Sequence, residues 1–217
     1  MAASKVSRTA LHGLIMRVGL LGGSFDPIHK GHLHLAKEMQ KTKRLDEVWF
    51  VPTRINPLKV DDSPPASSEH RLAMLNLALK KYPNFKIITN DIDRTGPSYT
   101  IELIRELKRE HPSTHFFLVI GEDVVSTLHD WKAIKEITEE VPLLIGTRSH
   151  KASFDTRLPK SVQEAIMRGY TPIKPFEVSS TTVREYLEQG KHDRLRNQLP
   201  SEVVDYIQKY MLYFNKQ

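Results

Sequence analysis

Two histidines, His29 and His32, stand three residues apart in the run Gly22-Gly23-Ser24-Phe25-Asp26-Pro27-Ile28-His29-Lys30-Gly31-His32. Imidazoles at that spacing can face one ligand, and each can donate to phosphate oxygens. The paired glycines ahead of them let a ligand approach the backbone where a Cβ would obstruct it. A second group with the same chemistry lies near the other end of the chain, Ser179-Ser180-Thr181-Thr182-Val183-Arg184. Hydroxyls at a helix start cap its unpaired N–H groups and also suit phosphate. Arg184, three residues after Thr181, shares a helix face with it. A guanidinium, hydroxyls and N–H groups together form a cradle for a polyphosphate. Neither the dinucleotide pattern G-x-G-x-x-G nor the Walker pattern G-x-x-x-x-G-K-[ST] fits the glycine turn.

The elements that must hold these groups follow from periodicity. Arg17–Leu21 has the length of a buried strand, and Leu33–Met39, free of Gly and Pro, reads as a helix. The first group is therefore a strand-to-helix turn, with a positive dipole end facing any anion. Glu47–Val51 predicts the second strand. Thr53 to Ser68 is too polar and Pro-broken for regular structure and is read as a flap over the site. Glu69 to Tyr82 predicts a helix with Leu72, Leu75 and Leu79 in the core. Strands are then expected at Phe85–Ile88, His115–Ile120, Pro142–Thr147 and, interrupted by proline, near Ile173–Val178. Helices fall between them, and a last one carries Val203, Val204, Ile207, Met211 and Leu212. Alternating strands and helices argue for an α/β protein with a mostly parallel sheet and helices on both faces. In such sheets ligands bind beyond the carboxyl ends of the strands. The Gly22, Gly121 and Ser179 turns are all expected there.

With 217 residues and no internal repeat or linker, residues 16–217 read as one domain. Residues 1–15 lack the apolar region and cleavage site of a secretory signal, and are expected to be a disordered extension or to precede a true start at Met16. No run approaches the roughly 18 apolar residues of a membrane span. Cysteine is absent, which excludes a disulfide framework or thiolate metal site and fits a reducing cytoplasm. The formal charge of +6, from 32 basic and 26 acidic residues, suits nucleic acid or polyanionic nucleotides. No Arg-rich tract with interleaved aromatics is present, so a nucleotide is expected and neither nucleic acid nor membrane; a homo-oligomer is left open.

The run G-G-[ST]-F-D-P-x-H-x-G-H resembles the ATP-binding signature of the H-x-G-H nucleotidyltransferases, and Val178-Ser179-Ser180-Thr181-Thr182-Val183-Arg184 is similar to their second one, I-S-S-T-x-[IV]-R. Asp93-Arg94-Thr95-Gly96-Pro97-Ser98-Tyr99-Thr100 and Ile120-Gly121-Glu122-Asp123, followed by Leu128 and Trp131, look like segments of the bacterial nicotinate-nucleotide adenylyltransferases. The resemblance covers about residues 16 to 214. It implies a Rossmann-like nucleotidyltransferase fold and the transfer of an adenylyl group from ATP to nicotinate mononucleotide, giving deamido-NAD and pyrophosphate. By the same resemblance Gly22, Gly23, Ser24 and Phe25 would line the ATP phosphates and the substrate ribose. His29 and His32 would contact the phosphates, Gly121 and Asp123 would border the riboses, and Ser180, Thr181 and Arg184 would hold the β- and γ-phosphates. Tyr99 and Thr100 would offer N–H groups to the nicotinate carboxylate, with Trp131 stacked on the ring. Where the family often has P-P-H-K, this chain has Asn56-Pro57-Leu58-Lys59. Leu58 cannot donate a hydrogen bond, which leaves Lys59 as the phosphate ligand of the flap; Arg148 is a candidate for the substrate's phosphate.

An ionised phosphate nucleophile requires no general base, so catalysis would rest on positioning and charge stabilisation. Mg²⁺ would be held mainly by ATP phosphates, with no protein metal site, and Asp26 could assist through a water. The rival readings are phosphopantetheine adenylyltransferase, an enzyme preferring nicotinamide mononucleotide, a tRNA-binding module and a His-based metal hydrolase.

Overall fold

The computed structural model describes residues 15–55, 65–147 and 155–214. The expectation for residues 1–15, Ile15 apart, and most of the flap lie outside them. Among the described residues six strands form one all-parallel sheet: β1 (Met16–Gly23), β2 (Glu47–Pro52), β3 (Phe85–Ile87), β4 (Thr114–Gly121), β5 (Leu143–Thr147) and β6 (Tyr170–Pro172). Their order is β3-β2-β1-β4-β5-β6. The order reverses between β1 and β4, so the connections leaving these two strands part and open a crevice at their carboxyl ends.

The sheet is covered on both faces, which is why β1, β2, β4 and β5 read as near-continuous apolar runs. On one face Leu21, Val48, Phe50, Val119 and Leu144 pack against α1 (Lys30–Lys43), α2 (Ser68–Leu79) and the C-terminal helices α7 (Ser180–Glu188), α8 (His192–Leu195) and α9 (Ser201–Lys209). On the other, Val18, Leu20, Trp49, Leu118 and Ile145 pack against α4 (Thr100–Glu110), the 3-10 helix Glu122–Asp130, α5 (Ile134–Glu140) and α6 (Lys160–Gly169). Each fully buried Leu, Ile or Phe contributes about 2 kcal/mol. Gly146 of β5 sets how closely α1 lies on the sheet, since a Cβ there would stand 2.4 Å from Leu35 Cδ1.

Three local expectations are corrected, and one short helix is added. The last strand is Tyr170–Pro172, not Ile173–Val178: the Ile173 N–H still reaches the Thr147 carbonyl (3.1 Å), but there β5 ends and Pro175 has no N–H to continue a ladder. The polar stretch after β3 contains a short helix, α3 (Asn90–Asp93). In α2 the buried residues are Arg71, Met74, Leu75, Ala78 and Leu79, while Leu72 is only half-buried. The last helix ends at Lys209, and Met211 beyond it is exposed.

Candidate active site

The loop from Gly22 to His29 leaves β1 at the crevice, and α1 starts on two histidines that cap each other. The His32 N–H donates to His29 Nδ1 (3.3 Å), and the His29 N–H donates to His32 Nδ1 (3.2 Å). This is the geometry of a capping box, with imidazoles in both roles. The rings stack with centroids 3.6 Å apart. Because both Nδ1 atoms accept, the proton of each neutral ring sits on Nε2, and each ring presents an N–H donor. Burial lowers the His29 pKa to about 4. Desolvation, and then the neighbouring His29, keep His32 well below its ordinary value. Gly31 permits this packing, since a Cβ there would stand 2.6 Å from Val178 Cγ1 and 3.0 Å from His29 Nδ1.

The second signature comes to the same loop although its helix does not follow directly on a strand. Ser179 caps α7 by accepting from the Thr182 N–H (3.1 Å). Ser180 Oγ donates to the Pro27 carbonyl (3.1 Å), so its hydroxyl is committed to the loop. Arg184 Nη1 donates to the Asp26 carbonyl (2.7 Å) and Nη2 to Thr181 Oγ1 (3.3 Å). Arg184 and Thr181 therefore do share a helix face. The Phe25 ring, 1% exposed, is enclosed by the core and lies against Phe50 and His32, so Phe25 offers a ligand only its backbone. A Cβ built on Gly22 meets nothing within 4 Å, which marks the open side of the turn. At the end of β4, Asp123 Oδ1 sits 2.4 Å from where a Gly121 Cβ would be, so the carboxylate covers that glycine.

Beside the turn, on the α4 side of the sheet, is a cavity of about 480 Å³ whose lining includes Gly22, Gly23, Tyr99, Thr100 and Trp131. His29, His32 and Arg184 lie outside it; the cavity and the histidine–arginine cluster meet at the glycine turn. The first N–H groups of α4 have no intrahelical acceptor, and Lys132 Nζ stands 4.0 Å above the Tyr99 ring while pairing with Glu102 (2.8 Å). A positive helix end, a lysine and two aromatic side chains suit a planar anionic group. Lys59 and Arg148 lie outside the described residues.

Three residues of this region carry no weight in the sequence reading. Arg71 is 1% exposed and donates from Nη1 to the carbonyls of Ser24 (2.7 Å) and Thr53 (2.8 Å). Its signal was available: it occupies the α2 core stripe four residues before Leu75. Tyr213 donates its hydroxyl to Asp26 Oδ1 (2.5 Å) across 187 residues of sequence, with nothing local to announce it. Asp91, 3% exposed, lines the cavity, and burial raises its pKa to about 6. Asp26 is corrected from a water-holding role: Oδ1 also accepts from the Ala66 N–H (3.3 Å), and the residue is buried.

A cytidylyltransferase-like family model matches residues 20–186. A probable nicotinate-nucleotide adenylyltransferase of Oceanobacillus iheyensis is 37% identical over 90% of this chain and 96% of its own. The nicotinate-nucleotide adenylyltransferase of Bacillus subtilis is 34% identical over 91% and 98%. Among solved structures, nicotinic acid mononucleotide adenylyltransferase of Plasmodium falciparum, complexed with NaAD, superposes with a TM-score of 0.73 at 23% identity, covering 93% of this chain and all of that one.

Proposed function

The chain belongs to the cytidylyltransferase-like family and, within it, to the nicotinate-nucleotide adenylyltransferases; from that premise we infer how its residues carry out adenylyl transfer from ATP to nicotinate mononucleotide. The 5′-phosphate of the mononucleotide attacks the α-phosphorus of ATP in line, and pyrophosphate leaves. The attacking oxygen is already ionised, so the protein's task is to hold two polyanions together and stabilise the charge that develops.

The observation that carries this assignment of roles is the meeting of Arg184 and the two histidines at one loop, through the Asp26 carbonyl and the α1 cap. The Nε2–H groups of His29 and His32 and the Arg184 guanidinium then contact the triphosphate from two sides. Ser180 and Thr181 contribute the N–H groups of the α7 start, and Thr181 its hydroxyl. Gly22, Gly23, Ser24 and Phe25 offer backbone, and Gly121 and Asp123 border the riboses. In the cavity Tyr99 and Thr100 present N–H groups to the nicotinate carboxylate, and Trp131 stacks on the ring. A charged carboxylate at a helix start gains more than a carboxamide, which favours the acid over the amide. Lys59 and Arg148 are proposed for the phosphates.

Mg²⁺ belongs with the ATP phosphates in this arrangement. Both Nδ1 atoms of the histidine pair are occupied, and the Asp26 carboxylate is buried under Tyr213. The residues around the loop are chiefly hydrogen-bond donors, which fits an ion held by phosphate oxygens and water. When bound it would neutralise charge on the leaving pyrophosphate.

The test is pyrophosphate release from ATP and Mg²⁺ with nicotinate mononucleotide, nicotinamide mononucleotide or phosphopantetheine as acceptor. The highest kcat/KM is expected with nicotinate mononucleotide; preference for either other acceptor would overturn the substrate assignment.

A further inference from the structure

Of the five carbonyl groups from Gly23 to Pro27 in the phosphate loop, four are tied back into the protein. The Gly23 carbonyl accepts from the Thr53 N–H (2.9 Å), Ser24 from Arg71 (2.7 Å), Asp26 from Arg184 (2.7 Å) and Pro27 from Ser180 (3.1 Å). In a trans peptide the N–H points away from the preceding carbonyl. Drawing the Gly23 and Ser24 carbonyls toward Thr53 and Arg71 therefore turns the Ser24 and Phe25 N–H groups the other way, as a pair suited to an anion. Phe25 holds φ at 49°, a conformation that costs a non-glycine residue about 1–2 kcal/mol and persists only where its surroundings impose it.

Arg71 is the buried member of these restraints; burial disfavours its charge, and the negative charge of Asp26, ahead of Tyr213 and Glu69, favours it. Asp26 is faced by Arg71 of α2, Arg184 of α7, the Ala66 N–H and the hydroxyl of Tyr213 beyond α9; the capping pair His29 and His32 follows in the same loop. We propose that Arg71, Asp26 and Tyr213 are positioning residues: they form a lock by which the C-terminal segment holds the phosphate loop in its anion-binding conformation. The lock closes when Asp26 is ionised, because the carboxylate then accepts from Tyr213 and balances the Arg71 guanidinium. Burial raises the Asp26 pKa, and the Tyr213 hydrogen bond opposes that rise. Losing the hydroxyl lets the pKa climb further, so the lock opens at a higher pH.

The proposal rests on the reading of ATP as the adenylyl donor, and its test separates the two. In Tyr213→Phe the KM for ATP should rise about tenfold while the KM for nicotinate mononucleotide stays within about twofold. The acid limb of kcat/KM for ATP should move to higher pH, and in Asp26→Asn that limb should disappear. A Tyr213→Phe enzyme with unchanged KM for ATP and an unchanged acid limb, or with both KM values raised alike, would overturn the lock. If Asp26→Asn does not fold, Tyr213→Phe alone carries the test, since it removes one oxygen. Wild-type protein that released no pyrophosphate from ATP would overturn the functional reading instead. Calorimetric titration with inorganic tripolyphosphate then reads the lock by itself: about tenfold weaker binding to Tyr213→Phe supports it, and equal binding overturns it.

Discussion

Replacing Gly31 by alanine sets two effects against each other. Alanine is the better helix former by up to about 1 kcal/mol, less in the first turn, where Gly31 lies. Against that, a Cβ at position 31 would stand 2.6 Å from Val178 Cγ1 and 3.0 Å from His29 Nδ1. Ordinary carbon contacts lie near 3.5–4.0 Å, so Val178 or the His29 ring must retreat by about 1 Å. Overpacking of this kind costs about 1–3 kcal/mol, leaving a net loss of about 1–2 kcal/mol and a Tm lower by about 2–8 °C. The protein stays folded at 25 °C, yet both residues that yield belong to the site: His29 caps α1, and Val178 leads into the α7 cap. A displacement of about 1 Å at such groups costs about 10² in rate, far more than the folded fraction accounts for. Thermal melts and initial rates of pyrophosphate release on one preparation check this. The double variant Gly31→Ala with Val178→Ala opens the tighter contact and should recover part of the rate. A Gly31→Ala enzyme within about threefold of wild type would refute the claim that this spacing holds the histidine pair.

Three further outcomes follow from the same geometry. His32→Ala should lose about 10²–10³ in turnover with the fold intact, as circular dichroism would check, if the Nε2–H of His32 stabilises developing charge. Acidification should destabilise the protein between about pH 6.5 and about 4, because burial holds His29 near 4 and the unfolded chain binds the proton first. That stability, up to about 3 kcal/mol, is complete above the unfolded pKa and lost as pH falls through the folded one. Denaturant melts of His29→Asn, which keeps a capping oxygen, should show a shallower slope over this window. Asp91→Asn works in the opposite direction. The folded pKa of Asp91 is raised from 3.8 to about 6, so stability falls as pH rises between those two values, where only the unfolded chain has lost the proton, and levels off above about 6. Ser98 hydrogen-bonds the Asp91 carboxylate, so the variant should gain up to about 3 kcal/mol at pH 8 and little at pH 4, less about 1 kcal/mol for that bond. Arg94, whose Nε lies 3.9 Å from Asp91 Oδ1, is not stranded, since it also pairs with Glu102 (3.4 Å) and Glu106. Calorimetry at the two pH values distinguishes this from a uniform effect.

The sequence by itself determined the local devices. The glycine turn between an apolar strand and a helix, the two histidines, the hydroxyl cap with Arg184 and the alternation of strands with helices are written in adjacent residues, where periodicity and capping chemistry act over a few positions. Tyr99, Thr100 and Trp131 carried a family pattern and do line one cavity. Tertiary structure alone decided the strand order and therefore the crevice between β1 and β4. It also decided that α7 reaches the first loop without following directly on a strand, through an Arg184 contact spanning 158 residues. Arg71, given no role from the sequence, proved to be a buried clamp; Asp26, expected to assist through a water, proved to be enclosed; and Tyr213, given no role either, proved to be Asp26's partner. These are pairings between distant segments, settled by which buried charges and carbonyls can satisfy one another once the sheet has brought them together. A chain read one window at a time carries no trace of that constraint.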